Sequence, residues 1–248
     1  VGQNVGSLSD LGGGGGRVTN SSAAPATLVV GNDNGNASFS GAILSGAGLL
    51  SLTKTGTGTQ TLHGINTSTG PTAIDAGTLV VNGALGTGDV VITSGATLGG
   101  TGSVAGLVLN TGRVAPGSSP GTLTVGMLVQ SGPAELSIEI ASASPGGYDH
   151  LATTAAILDG TLTVTTNGYA PLAGDTFTIL SAPTYAGAFA VTNLPSLSSG
   201  LGWVVQYNAG AVVLSVTGAP PVTGYDLAAA VITNGLTGYQ DDADGDGY

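Results

Sequence analysis

The stretch Leu52-Thr-Lys-Thr-Gly-Thr-Gly-Thr-Gln-Thr-Leu-His-Gly-Ile-Asn-Thr-Ser-Thr-Gly-Pro-Thr-Ala-Ile-Asp-Ala-Gly-Thr-Leu79 decides the fold of this chain. It runs as short strand-forming segments cut every few residues by Gly, Asn or Pro, the residues that make tight turns. Period-two alternation of apolar and Thr or Ser positions puts one face of each strand inside and one in water.

The same texture extends in both directions. Strand-like runs recur at Thr27–Val30, Ala37–Leu44, Leu49–Lys54, Gln60–His63, Gly77–Val81, Asp89–Thr93, Leu107–Asn110 and Thr122–Met127. They continue at Glu135–Ile140, Thr161–Thr165, Thr176–Leu180, Ala188–Thr192, Trp203–Tyr207 and Ala211–Val216. The tripeptide Gly-Thr-Leu at Gly77, Gly121 and Gly160, with the variant Ala96-Thr-Leu98, is expected to mark the start of successive coils. Its irregular spacing suits a parallel β-helix, in which each coil touches only its neighbours and insertions leave as loops. A β-sandwich is the competing architecture. The core-forming residues are small, with only 4% aromatics, whereas sandwiches usually carry larger aromatic anchors. About ten coils at roughly 4.8 Å each give a rod on the order of 50 Å long.

Composition narrows the function. The formal net charge is −11, and the three cations, Arg17, Lys54 and Arg113, are scattered. Nucleic-acid binding needs clustered Lys and Arg to neutralise phosphates, so nucleic acid is excluded as a partner and an anionic membrane surface is disfavoured. The chain has no continuous apolar run long enough to cross a bilayer. Cysteine is absent, which removes disulfide and thiol chemistry. The sequence opens at Val1 without a basic segment before an apolar one, and is expected to be a mature or truncated product.

On these residues the quoted stretch closely resembles the passenger-associated repeat of autotransporter-type surface proteins. The resemblance extends upstream through Gly12–Arg17 and Thr27-Leu-Val-Val-Gly31. Downstream it takes in Val114-Ala-Pro-Gly-Ser-Ser-Pro-Gly-Thr-Leu-Thr-Val125, Tyr148-Asp-His-Leu151, Leu158–Leu162 and Ala173–Leu180, so that it covers nearly all of 12–217. It implies an all-β, right-handed parallel β-helix over 1–217, secreted or held at the bacterial cell surface.

A solenoid end exposes unpaired strand edges. Trp203–Tyr207 and Ala211–Val216, joined by Asn208-Ala-Gly210, predict an antiparallel hairpin that caps the C-terminal end, with Trp203 as a core plug. Beyond Pro220-Pro221, 218–248 reads as a linker, a short helix over Tyr225–Gly235 and an acidic tail. In that tail Asp242, Asp244 and Asp246, with Gly247 and Tyr248 following, fall at positions 1, 3, 5, 6 and 7 of an EF-hand-like loop, a candidate Ca2+ site. The acidic residue expected at position 12 would fall past Tyr248, and a solvated acidic tail is the alternative reading.

Three functional classes compete. For polysaccharide lyase or hydrolase chemistry, Glu135 and Glu139 lie four apart on one strand, too distant for a retaining pair, and are expected to face solvent. Asp149-His150 beside a Ser is expected to be chance adjacency, and His63 is expected at the surface. For adhesion, outward Thr, Ser and Asn could meet glycans. The favoured class is a non-enzymatic structural rod that assembles head to tail as a homo-oligomer, with Ca2+ at the junctions. Asn66, Asn82 and Asn110 are expected to form turn ladders inside it.

Overall fold

The computed structural model describes residues 2–10 and 15–218. The N-terminal strands are β1 Gly2–Asn4, β2 Arg17–Thr19, β3 Ala26–Val30, β4 Ala37–Phe39, β5 Ala42–Leu44, β6 Leu50–Lys54, β7 Thr59–Leu62 and β8 Thr72–Ile74. Next come β9 Thr78–Val81, β10 Ala84–Leu85, β11 Val90–Ile92, β12 Thr97–Gly100, β13 Ser103–Asn110, β14 Arg113–Pro116, β15 Thr122–Gln130 and β16 Glu135–Ile140. The last are β17 His150–Leu158, β18 Thr161–Thr166, β19 Thr176–Ser181, β20 Thr184–Gly187, β21 Val191–Asn193, β22 Leu201–Asn208 and β23 Ala211–Gly218.

These strands wind into a parallel β-helix, the architecture that the resemblance implies and not the competing sandwich. One long sheet runs β1-β3-β6-β8-β11-β13-β15-β17-β19-β23-β22, and a second runs β4-β7-β9-β12-β14-β16-β18-β21. A short third wall pairs β2 with β5 and continues through the Ile65–Ala84 bridge to the pairing of β10 with β13. From β13 onward this wall and the long sheet share continuous strands, with a register shift between Val104 and Leu107. Eleven strands in the path of the long sheet, about 4.8 Å apart, give the expected length near 50 Å.

Inside, Leu79, Leu98, Val114, Leu136 and Leu162 stack in register on the second sheet, all fully buried. The Gly-Thr-Leu signal therefore marks one coil position at Gly77, Ala96 and Gly160. Gly121 departs from it, because Thr122 and Leu123 lie on the long sheet opposite His150 and Leu151. Coil length shrinks from the first coils to the middle of the rod and grows again after β14: the steps from Asn4 to Val29 and from Val30 to Lys54 are longer than the step from Ile74 to Ile92. The steps between register partners from Thr59 to Thr78 and from Thr78 to Thr97 are equal, whereas the step from Glu135 to Thr161 is longer and that from Thr161 to Val191 longer still.

Other boundaries differ from expectation for physical reasons. Ala37–Leu44 is two strands, since the chain turns a corner at Ser40-Gly41 between the second sheet and the third wall. A Cβ on Gly41 would run into the Gly16 carbonyl of the preceding coil. The β17 strand gives no clear signal in sequence, because Ala-Thr-Thr-Ala-Ala blurs the contrast between its two faces.

The hairpin cap is present. β22 pairs antiparallel with β23, leaving Ala209-Gly210 as a two-residue turn, and β23 pairs antiparallel with β19 to end the parallel stack. Trp203 packs beneath it against Phe177 at 5.9 Å, and its Nε1 donates to the Pro195 carbonyl at 2.9 Å. The expected linker and helix lie outside the described residues.

Candidate functional site

The most unusual group in the rod is Lys54. On β6 the inward positions are Leu50, Leu52 and Lys54, and Lys54 is 0% exposed. Its rung neighbours are Val30 and Ile74. The ammonium donates to the carbonyls of Thr55 at 2.6 Å, Gly56 at 2.9 Å and Ala76 at 3.2 Å, so it fastens the corner after β6 to the corner after β8. Burial pushes its pKa below the ordinary lysine value. The corner has room only for glycine at position 77: φ is +63°, and a Cβ would collide with the Gly56 carbonyl and lie 2.8 Å from Lys54 Nζ. Sequence reading groups Lys54 with the scattered cations. The usable signal is parity, since Lys54 shares the inward face with two leucines.

The same inward column continues through Ile74, Ile92, Asn110 and Gln130. Asn110 accepts from Gly112 N–H at 3.0 Å and donates to the Glu135 carbonyl at 3.2 Å. Gln130 donates to the Asp159 carbonyl at 3.2 Å. The expected asparagine ladder is not formed. Asn66 occupies a different corner, accepting from Ile43 N–H at 2.8 Å and donating to the Ala84 carbonyl at 2.9 Å, and Asn82 accepts from Thr101 N–H at 3.2 Å. Each asparagine clamps backbone of a neighbouring coil through the donor or acceptor that its carboxamide offers.

Asp149 lies just before β17 and is buried, whereas His150, the first residue of that strand, is half-buried. Asp149 is 2% exposed and accepts from Gly121 N–H and Glu139 N–H, both at 2.9 Å. Burial outweighs these two bonds and raises its pKa to about 6. His150 does meet a serine, with Nε2 2.9 Å from Ser181 Oγ, and burial lowers its pKa. The carboxylate that would orient the imidazole is committed to main chain instead. Glu135 and Glu139 both face outward, about 13 Å apart along β16 at four strand residues, beyond any retaining geometry. Glu135 lies 3.9 Å from Arg113 Nε, while Arg113 Nη2 donates to Ser137 Oγ at 2.6 Å. His63 is exposed, as expected.

Among the described residues no group of three or more His, Asp or Glu could hold a metal ion. The candidate Ca2+ ligands Asp242, Asp244, Asp246 and Tyr248 lie outside the described residues. No helix among the described residues is long and apolar enough to cross a membrane. The outer face of the second sheet carries Thr59, Thr78 and Thr97 in register, followed by Arg113, Glu135 and Thr161. At the N-terminal end a cleft of 370 Å³ opens between Gln3, Asn20, Ser22, Thr27 and Leu28.

Within this parallel β-helix, residues 52–81, which run from β6 to β9, match the family model of the passenger-associated-transport-repeat. The chain is also similar to an autotransporter adhesin, BmaC, of Brucella suis biovar 1 (strain 1330), at 36% identity over 107 residues. That match takes in 39% of this chain and 3% of the far longer relative. The resemblance to autotransporter passenger repeats is thereby supported from two sides.

Proposed function

We propose that this chain is a non-enzymatic part of an extracellular bacterial passenger, secreted or held at the cell surface, and that it works as a rigid rod with adhesive neighbours or ends. The observation that carries this reading is the unbroken parallel stack of the long sheet, from β1 to β19, closed on one side by the β22–β23 hairpin. Stacked coils of this kind transmit position along one axis and need no cleft to do so. Among the described residues β1 pairs only with β3, and Val5, Leu8 and Val18 of the first coil are partly buried. That edge favours addition of a further strand layer. In a head-to-tail homo-oligomer the first coil of one copy would meet the hairpin of the next, with Asp242, Asp244, Asp246 and Tyr248 contributing Ca2+ ligands at the junction.

Adhesion is the second reading, favoured by the relative named an adhesin. The in-register threonines of the second sheet and the N-terminal cleft are the surfaces on which a glycan would be sought. The commitment of Asp149 to backbone amides and the separation of the two glutamates support a non-enzymatic role. Electron microscopy of the purified chain with Ca2+ and then with chelator tests assembly. Filaments that dissolve on chelation are the expected result. Separate short rods in both conditions would sink the head-to-tail arrangement and leave the adhesin reading, with glycan-array binding as its check.

A further inference from the structure

The outer wall of the long sheet differs from the threonine-rich wall of the second. Val91, Leu109, Val129 and Ile157 are Cα partners on β11, β13, β15 and β17, and they form one outward-facing column along the rod axis. Val91, Leu109 and Ile157 are 38%, 36% and 44% exposed. Leu107 and Met127, paired with each other, widen the column on one side. A contiguous exposed apolar patch of this kind marks a binding surface.

The border of the patch says what it would bind. Asp89 lies two residues before Val91, Asp159 two residues after Ile157, and Asp75 just beyond β8, the rung next to Val91; all three are exposed. No cation among the described residues faces this wall: Lys54 is buried inward, Arg113 is on the second sheet and Arg17 is on the third wall. A second copy would bring the same carboxylates against these, at a net charge of −11 on each chain. The direction of the column matters as well. Rungs rise about 4.8 Å each, close to the roughly 5.4 Å pitch of an α-helix, so a helix lying along the rod places apolar residues at i, i+3 or i+4 and i+7 over successive rungs.

We propose that the outer face of the long sheet between β11 and β17 is a docking surface for a cationic amphipathic helix of a partner protein. Its apolar side lies on Val91, Leu109, Val129 and Ile157, and its Lys or Arg residues meet Asp75, Asp89 and Asp159.

The test uses the full chain and labelled synthetic helical peptides. A Leu/Lys amphipathic peptide is compared with an Ala/Lys peptide of equal charge and a Leu/Glu peptide of equal apolarity, by fluorescence anisotropy at low and high salt. The Leu/Lys peptide is expected to bind one per chain and to weaken with salt, and each of the other two to bind at least about tenfold more weakly. The variant Val91→Thr with Leu109→Thr and Ile157→Thr, which keeps strand-compatible residues outside, is expected to lose the same factor while melting like the unchanged chain; the single Leu109→Thr serves should the triple variant not fold. Thr78→Val with Thr97→Val on the second sheet is the control and should bind normally. Equal binding by the triple variant, or by the Ala/Lys peptide, would show bulk charge attraction only and overturn the proposal. Self-association abolished by the triple variant would overturn it too, by assigning the face to a second copy.

Discussion

The coils from β6 to β12 and the late coils of this rod close their cross-sections by different means. From β6 to β12 the coils are short and nearly even in length, corners are glycine, and polar side chains reach across to the next coil's main chain. Phe39 is the only aromatic residue before Tyr148. From Glu135 onward each coil is longer than the last, and aromatic rings fill the wider section: Phe177 meets Tyr148 edge-on at 5.4 Å, Tyr169 at 6.4 Å and Trp203 at 5.9 Å. A short coil leaves little space to fill but many carbonyls at tight corners, so hydrogen-bond donors matter most there. A long coil relaxes the corners and leaves volume, so buried apolar area takes over.

The comparison is broken most directly at Phe177. Truncation to Ala removes the ring that three other aromatics share and is expected to cost about 4 kcal/mol. Because solenoid coils depend chiefly on their neighbours, hydrogen exchange should rise from β16 to β23 while β6 to β12 stay protected. Uniform loss of protection would show that the two regions fold as one unit.

The next effect lies where the coils begin to widen. Asp149 ties the Gly117–Gly121 turn to β16, and Gly117, at φ +94°, has no room for a Cβ beside the Asp149 carboxylate. Its folded pKa of about 6 lies above the ordinary 3.8, so folding favours the protonated form. The stability it contributes is fully present below pH 3.8 and is lost as pH rises through 6. The shift corresponds to about 3 kcal/mol. Denaturant melts across that window should show the stability difference between the unchanged chain and Asp149→Asn varying with pH by this amount. A difference flat with pH would mean that the carboxyl is solvated.

Lys54→Met sharpens the early-coil side. It keeps the stem but leaves three corner carbonyls without their donor, for an expected loss of about 2 kcal/mol in a thermal or urea melt. A more stable variant would show the buried ammonium to be a burden rather than a fastener. The smallest effect belongs to Glu135→Gln. The pair with Arg113 is partly exposed and long, so stability should change by less than about 0.5 kcal/mol.

Much of the fold was legible because strand alternation and turn residues are local signals. The strands, their buried faces and the hairpin follow from them, and Trp203 packs partly buried against the core. What escaped depends on the register between coils. Gly121-Thr-Leu123 repeats the tripeptide of Gly77 and Gly160, yet falls on another sheet, since only partner strands distant in sequence decide which wall a segment joins. Asn66, Asn82 and Asn110 look alike in sequence and sit in three different columns. Lys54 was hidden for a different reason. A charged residue is presumed outside unless parity is followed strictly, and here the carbonyls that satisfy it come from corners that no residue name reveals.

The placement of the three cations has a consequence outside the cell. Proteases that cut after Lys or Arg find the bond following Lys54 at the end of a buried rung and the bond following Arg113 inside β14, paired on both sides with β12 and β16. That leaves the peptide bond after Arg17, on the exposed edge strand β2, as the accessible one. Trypsin digestion of the folded protein should therefore trim the segment ending at Arg17 and stop. Against proteases of that specificity the rod from β3 onward would persist, its durability set by where its few basic residues are housed.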